Sequence, residues 1–133
     1  MPVAAPAAVF FLRRGDRDAA QEIYRTAAFD LDHDNWLSPL IWAFAGEVAL
    51  AFSDSQLGAK VYGLLLPLRG RPAVGGTGGG IGPADAYLAL AAAATGELDL
   101  ASRHADAALV QCDTWKIPLV AQWLREQRDL HGF

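Results

Sequence analysis

A single cysteine, Cys112, leaves this chain of 133 residues without an internal disulfide and without a cysteine-built zinc site. Positive charge is also scarce, with 11 lysines and arginines against 15 acids and a formal net charge of -4. A nucleic-acid-binding surface normally carries a basic patch. The two arginine clusters, Arg13-Arg14-Arg17 and Arg69-Arg71, are not interleaved with aromatic residues, so nucleic acid is not an expected partner. No apolar run is long enough for a bilayer. Near the N-terminus the apolar Phe10-Phe11-Leu12 precedes Arg13 and Arg14, the reverse of a secretory signal, so the expectation is a cytoplasmic chain with no membrane partner.

Catalytic and metal motifs are missing too. There is no GxxxxGK[ST], no GxSxG elbow, and no HExxH spacing among His33, His104 and His131. The run Gly75-Gly76-Thr77-Gly78-Gly79-Gly80-Ile81-Gly82 fails the dinucleotide fingerprint in every register. Asp30-Leu31-Asp32-His33-Asp34-Asn35 opens like a calcium loop, but Asn35 and Ile41 stand where glycine and glutamate are required. Cys112 lies beside Asp113, which should raise its pKa and make it a poor nucleophile. Neither a cofactor nor a metal nor a catalytic residue is expected, and the balance leans away from an enzyme.

What is present is helix. With 53% hydrophobic and 20% charged residues the chain is globular, and its length suits a single domain over 1–133. A short helix from Pro2 to Arg14 ends at Gly15, and Asp16 caps a second reaching about Ala28. The third, about Trp36 to Phe52, carries only Glu47 as a charge and should be the central one, with Pro39 in its first turn and Asp34 or Asn35 as its cap. Asp54 or Ser53 caps a fourth helix that stops at Pro67. A glycine-rich loop, 69–82, follows and should be mobile without a partner. Pro83 opens the fifth helix, Asp99 to about Cys112 forms the sixth, and Pro118 to about Leu130 the seventh. No strand-like alternation appears, so the expected class is all-α.

An internal repeat organises these helices. The stretches beginning at Gly15, Ser53 and Gly96 align, each with a small turn, an acidic cap and a small residue at Ala20, Gly58 or Ala101. Their spacing slightly exceeds the roughly 34 residues of a tetratricopeptide unit. The expectation is about seven antiparallel helices stacked into a tetratricopeptide-like right-handed array.

Several stretches carry a family resemblance: "DNWL", "AGEVALAF", "KVYGLLLPLRGRPAV", the glycine run and "GPADAYLALAAAATGELDLASRHADAAL". From about Gly15 to Trp123 the chain resembles the tetratricopeptide-like region of actinobacterial signal-transduction ATPases, found in LuxR-type regulators and cyclase-linked relatives. Its most specific part is Leu65-Leu66-Pro67, the glycine loop and Gly82-Pro83. The ATPase and DNA-binding modules are absent from this sequence, and the loop is richer in glycine than the family's. The resemblance implies fold and a regulatory or scaffolding role in signalling or transcription regulation rather than a reaction.

Glu47 is the most informative single residue. It marks a pocket if it faces Tyr62 or Tyr87, a structural bridge if it meets Lys60 or an arginine, and a solubilising charge if it faces water. Trp36, Trp115 and Trp123 lie near helix ends, where they line a groove or an oligomer interface. Arg69 and Arg71 bring positive charge to the base of the glycine loop. The expected ligand-binding set is therefore Glu47, Tyr62, Tyr87, Trp36, Arg69 and Arg71. The leading expectation is a non-enzymatic module binding a protein segment or small ligand in a concave groove, and self-associating as a homodimer through apolar terminal helices. The competing one is a small helical enzyme or ligand-binding protein of specialised metabolism, with a pocket around Glu47 and the glycine loop.

Overall fold

Periodic apolar faces and glycine or proline stops become seven α-helices in the computed structural model, which describes residues 3–75 and 79–133. They are α1 (Ala4–Arg13), α2 (Arg17–Thr26), α3 (Ser38–Ala51), α4 (Ser55–Leu65), α5 (Ala84–Ala94), α6 (Leu98–Trp115) and α7 (Pro118–His131). A 3-10 turn, Leu66–Leu68, follows α4 where Pro67 ends it.

The aligned repeat positions share one local geometry. Gly15, Ser53 and Gly96 all have left-handed backbones, with φ of 81, 52 and 84°. At each, the next residue's N–H reaches back five positions to a helix carbonyl: Asp16 to Phe11, Asp54 to Ala49, Glu97 to Ala92. This is the Schellman stop, which satisfies carbonyls that a helix end leaves orphaned. The acidic residue then starts the next helix. Asp16 accepts from the Ala19 N–H and Asp54 from the Leu57 N–H. Glu97 makes no such bond, so the expected acidic cap fails in the third copy. Glutamate also falls outside the short side chains favoured for this role. Asp54 further accepts the Tyr24 hydroxyl at 2.7 Å. Asp54→Ala should therefore cost about 1.5–2.5 kcal/mol, a cap plus a charge-assisted hydrogen bond, against about 1 for Asp16→Ala; urea denaturation of both checks this.

Two helices, not one, form the centre. In α3 every residue from Ala45 to Leu50 is buried, and in α5 every residue from Ala84 to Ala92. α3 packs on α1, α4 and α5, while α5 also meets α4, α6 and α7. The sequence pointed to α3 alone because the alanine-rich α5 carries little side-chain volume for a periodicity to reveal. Small residues let these axes close up: a β-carbon added at Gly58 would sit 2.8 Å from Ala94 Cβ and 3.0 Å from the Ala91 carbonyl oxygen.

The glycine loop corrects the all-α expectation. Pro72–Gly75 (β1) and Gly79–Pro83 (β2) form a two-stranded antiparallel sheet, with Val74 facing Gly80 and Gly75 facing Gly79. Glycines without side chains carry no alternation, so sequence patterning could not report the ladder. Within 69–82, expected as an irregular loop, strand pairing runs at 72–75 and 79–83, while 76–78 lie outside the described residues. Backbone bonds close the base, from the Ala84 N–H to the Arg71 carbonyl at 2.9 Å. The buried Ala73 and the packing of Gly75 against Leu37 and Leu40 seat β1 on the start of α3.

The α3 cap also differs from expectation. Asn35 accepts the Leu37 N–H ahead of the helix, and Ser38 Oγ bonds both the Asn35 N–H and the His33 carbonyl. The helix start itself has no side-chain cap. Two of the three carboxylates of the false calcium loop have partners: Asp32 pairs with Lys60, and Asp30 lies against His33 Nε2, each at 2.8 Å.

Candidate functional site

Four helices each send one side chain to a common point. Arg13 ends α1, Glu47 lies late in α3, Tyr87 in the first half of α5, and Trp123 in α7. Arg13 forks onto Glu47, with Nε donating to Oε1 at 3.2 Å and Nη2 to Oε2 at 2.8 Å. The same Nη2 donates to the Tyr87 hydroxyl at 3.2 Å, and that hydroxyl donates to the Ile81 carbonyl at 3.3 Å, tying β2 to the cluster. The guanidinium carbon stands 4.9 Å from the Trp123 ring centre and 5.8 Å from that of Phe44, within range of a cation–π contact. Tyr87 and Trp123 are 5.4 Å apart.

Burial and charge oppose each other here. Burial pushes the Glu47 carboxyl above the ordinary carboxylate range, against the pull of the Arg13 hydrogen bonds and charge. For Arg13, burial alone would lower the guanidinium, but the hydrogen bond and charge of Glu47 outweigh it and raise it. One shift opposes the ion pair and the other favours it. Geometry decides between them: both Glu47 oxygens accept from Arg13, and a protonated carboxyl would put a hydrogen on one of them. Glu47 is therefore a carboxylate held by a fork at neutral pH. Burial also raises the Tyr87 phenol, with the Arg13 charge lowering it in part, so Tyr87 stays a neutral hydroxyl.

Beside this cluster opens a cleft of about 420 Å³, whose walls include Leu12, Arg13, Glu47, Trp123, Glu126 and Leu130. Arg17 and His131 complete its polar rim. Arg17 is already engaged, donating to the Ala51 carbonyl at 2.7 Å and lying over Phe52 at 4.8 Å. Burial and the Arg17 charge hold His131 below the ordinary imidazole range.

Tyr62 belongs to a different group. Its hydroxyl lies 2.9 Å from His104 Nε2, and His104 Nδ1 lies 3.1 Å from Asp85 Oδ1. The second Asp85 oxygen accepts the Gly70 N–H at 2.7 Å. A carboxylate only accepts, so His104 carries a hydrogen on Nδ1, and its Nε2 shares a hydrogen bond with the Tyr62 hydroxyl. The chain of bonds fastens α4, α5, α6 and the foot of the hairpin together. Asp85 occupies the positive end of α5, the position where a helix start would otherwise hold an anion.

The expected site residues thus divide. Glu47 and Tyr87 meet, Tyr62 lies in the His104 clamp, and Arg69 and Arg71 hold exposed side chains beside that clamp. Trp36 is 68% exposed in the turn before α3 and belongs to neither group. Cys112 is buried in α6, and its thiol is raised by that burial rather than by Asp113. Arg13 and Trp123 complete the cluster yet stand outside the expected set. Arg13 shares a helix face with Ala5 and Val9, both buried, but the same spacing in sequence did not single it out from the other arginines.

No family model matches the chain. Neither a curated protein nor a solved structure matches it. Among the described residues no group of histidine, cysteine and acidic side chains is placed to hold a metal, and no helix is long and apolar enough to cross a membrane.

Proposed function

We propose that this chain is a non-enzymatic helical-repeat module of the tetratricopeptide-like kind, and that it binds a protein segment or small ligand in a concave groove formed by α1, α3, α5 and α7. The observation that carries the reading is the convergence of Arg13, Glu47, Tyr87 and Trp123, one from each of those helices, beside an open cleft of about 420 Å³. The recurrence of one turn geometry at Gly15, Ser53 and Gly96 supports the repeat part of the proposal. A regulatory or scaffolding role, in the manner of the helical regions of actinobacterial signal-transduction ATPases, follows from the sequence resemblance. Glu47 favours binding over catalysis, because a carboxylate already held at both oxygens by a guanidinium is a poor general base. Self-association belongs to the same proposal, with Phe10 of α1 and Leu119 of α7 exposed to carry it.

The test uses a displayed library of short peptide segments panned against the whole chain. A selected binder should lose at least about tenfold in affinity with Leu130→Glu in the cleft, a change on the scale of one buried contact. Val110→Glu on the outer face of α6 should leave its affinity unchanged. No enriched binder, or binders indifferent to Leu130, would remove the reading.

A further inference from the structure

We propose that the pocket around the Arg13 side chain is a guanidinium receptor, with Arg13 as its internal occupant and an arginine side chain of a partner segment as the ligand it takes in exchange. This rests on the binding-module reading and names the chemistry of the partner. The receptor's walls come from α3, α5 and α7: both Glu47 oxygens, the Tyr87 hydroxyl, and the faces of Trp123 and Phe44. α3 packs on α4 and α5, and α7 on α5 and α6, contacts that do not pass through α1. Only the occupant comes from α1, as its last residue, and the Arg13 side chain is 41% exposed toward the cleft.

The charges around the cleft suit such an exchange. Without Arg13 the rim holds two carboxylates, Glu47 and Glu126, against Arg17 and His131. Arg17 is engaged by the Ala51 carbonyl and Phe52, and His131 is shifted toward its neutral form. A cation is the matching ligand. The choice of arginine over lysine comes from shape: paired N–H groups meet paired oxygens while the flat guanidinium lies against indole, which an ammonium cannot reproduce. The adjoining cleft leaves room for the residues flanking that arginine. Arg13 then acts as a competitor at high local concentration, and its removal raises the apparent affinity by the inverse of the fraction of sites it had left free.

The experiment compares the full chain with its Arg13→Ala variant, using methylguanidinium, methylammonium and N-acetyl-arginine amide as probes. Melting temperature and the Trp123 indole NMR signal are read. Methylguanidinium should restore part of the melting temperature lost in Arg13→Ala, methylammonium at equal concentration should not, and the unsubstituted chain should respond to neither. N-acetyl-arginine amide should bind Arg13→Ala at least about tenfold more tightly than the unsubstituted chain. Adding Glu47→Gln should abolish that gain. An equal response to both cations, or none, would overturn the proposal. Should Arg13→Ala not fold, Arg13→Lys keeps the charge without the fork and must show the same preference for arginine over lysine amides. Peptides bound in the cleft without arginine preference would overturn the receptor and leave the binding module standing. A guanidinium response with no segment ever selected would do the reverse.

Discussion

Gly58→Leu should destabilise the chain by about 3 kcal/mol or more, among the largest effects of any single substitution outside the polar cluster. The reason is the crossing of α4 and α5. A β-carbon at position 58 would stand 2.8 Å from Ala94 Cβ and 3.0 Å from a backbone oxygen of Ala91, and helix backbone cannot swing aside as a side chain can. Even Gly58→Ala should lose up to about 2 kcal/mol, because overpacking of about 1–3 exceeds the roughly 1 kcal/mol that alanine gains over glycine in a helix. Gly63, on the same helix, is the control: nothing lies within 4 Å of its added β-carbon, so Gly63→Ala should stabilise by about 1 kcal/mol. Thermal melts would show the two alanine variants moving in opposite directions. Equal gains at both positions would mean that α4 and α5 do not approach so closely.

Arg13→Ala should cost about 2–4 kcal/mol. Breaking a buried ion pair by removing one partner typically costs about 3–5, and the figure is reduced here because Arg13 is 41% exposed and water reaches the gap. The loss should depend on pH, with a definite sign. Burial already holds Glu47 above its unfolded pKa, and losing the guanidinium removes the hydrogen bond and charge that pull it downward. A group whose folded pKa is raised favours the folded state most below its unfolded pKa and loses that contribution as pH rises through the folded value. The gap between Arg13→Ala and the unsubstituted chain should therefore be wide at pH 8 and narrow as the pH falls toward 5. A paired replacement, Arg13→Met with Glu47→Leu, should recover to within about 1 kcal/mol of the starting stability, since apolar residues can replace a buried pair without its desolvation cost. Parallel urea titrations at the two pH values check all of this.

Helix positions were legible because three signals agreed at most boundaries: glycine or proline stops, short acidic caps and apolar periodicity. The stops at Gly15, Ser53 and Gly96 were visible as an alignment before their shared left-handed backbone could be known. Legibility ended where side chains vanish. The hairpin rests on backbone pairing among glycines, and the central place of α5 rests on alanines too small to mark a face. At the site, Glu47 stood out because a lone carboxylate on an apolar helix needs a partner. Its partner lay 34 residues away, at the end of another helix, where only packing could choose among the arginines. Tyr62 and Tyr87 looked equivalent in sequence, and the different neighbours of α4 and α5 separated them into the His104 clamp and the Arg13 cluster.

The closed foot of the hairpin has a consequence for how this chain tolerates change in length. The segment leaves the helical body at Arg71 and returns at Ala84, which are bonded to each other, and Gly75 faces Gly79 near the far end. Extra residues placed between those two glycines would lengthen a stretch of chain whose ends are already held together. Each doubling of such a loop adds only about 0.6 kcal/mol of closure entropy. Insertions there should leave the helices in register, whereas one residue added between Gly70 and Arg71 would pull Asp85, His104 and Tyr62 out of line together. The hairpin end is thus the natural point for grafting a reporter or tag, and its foot is the place where even a single insertion would be felt across three helices.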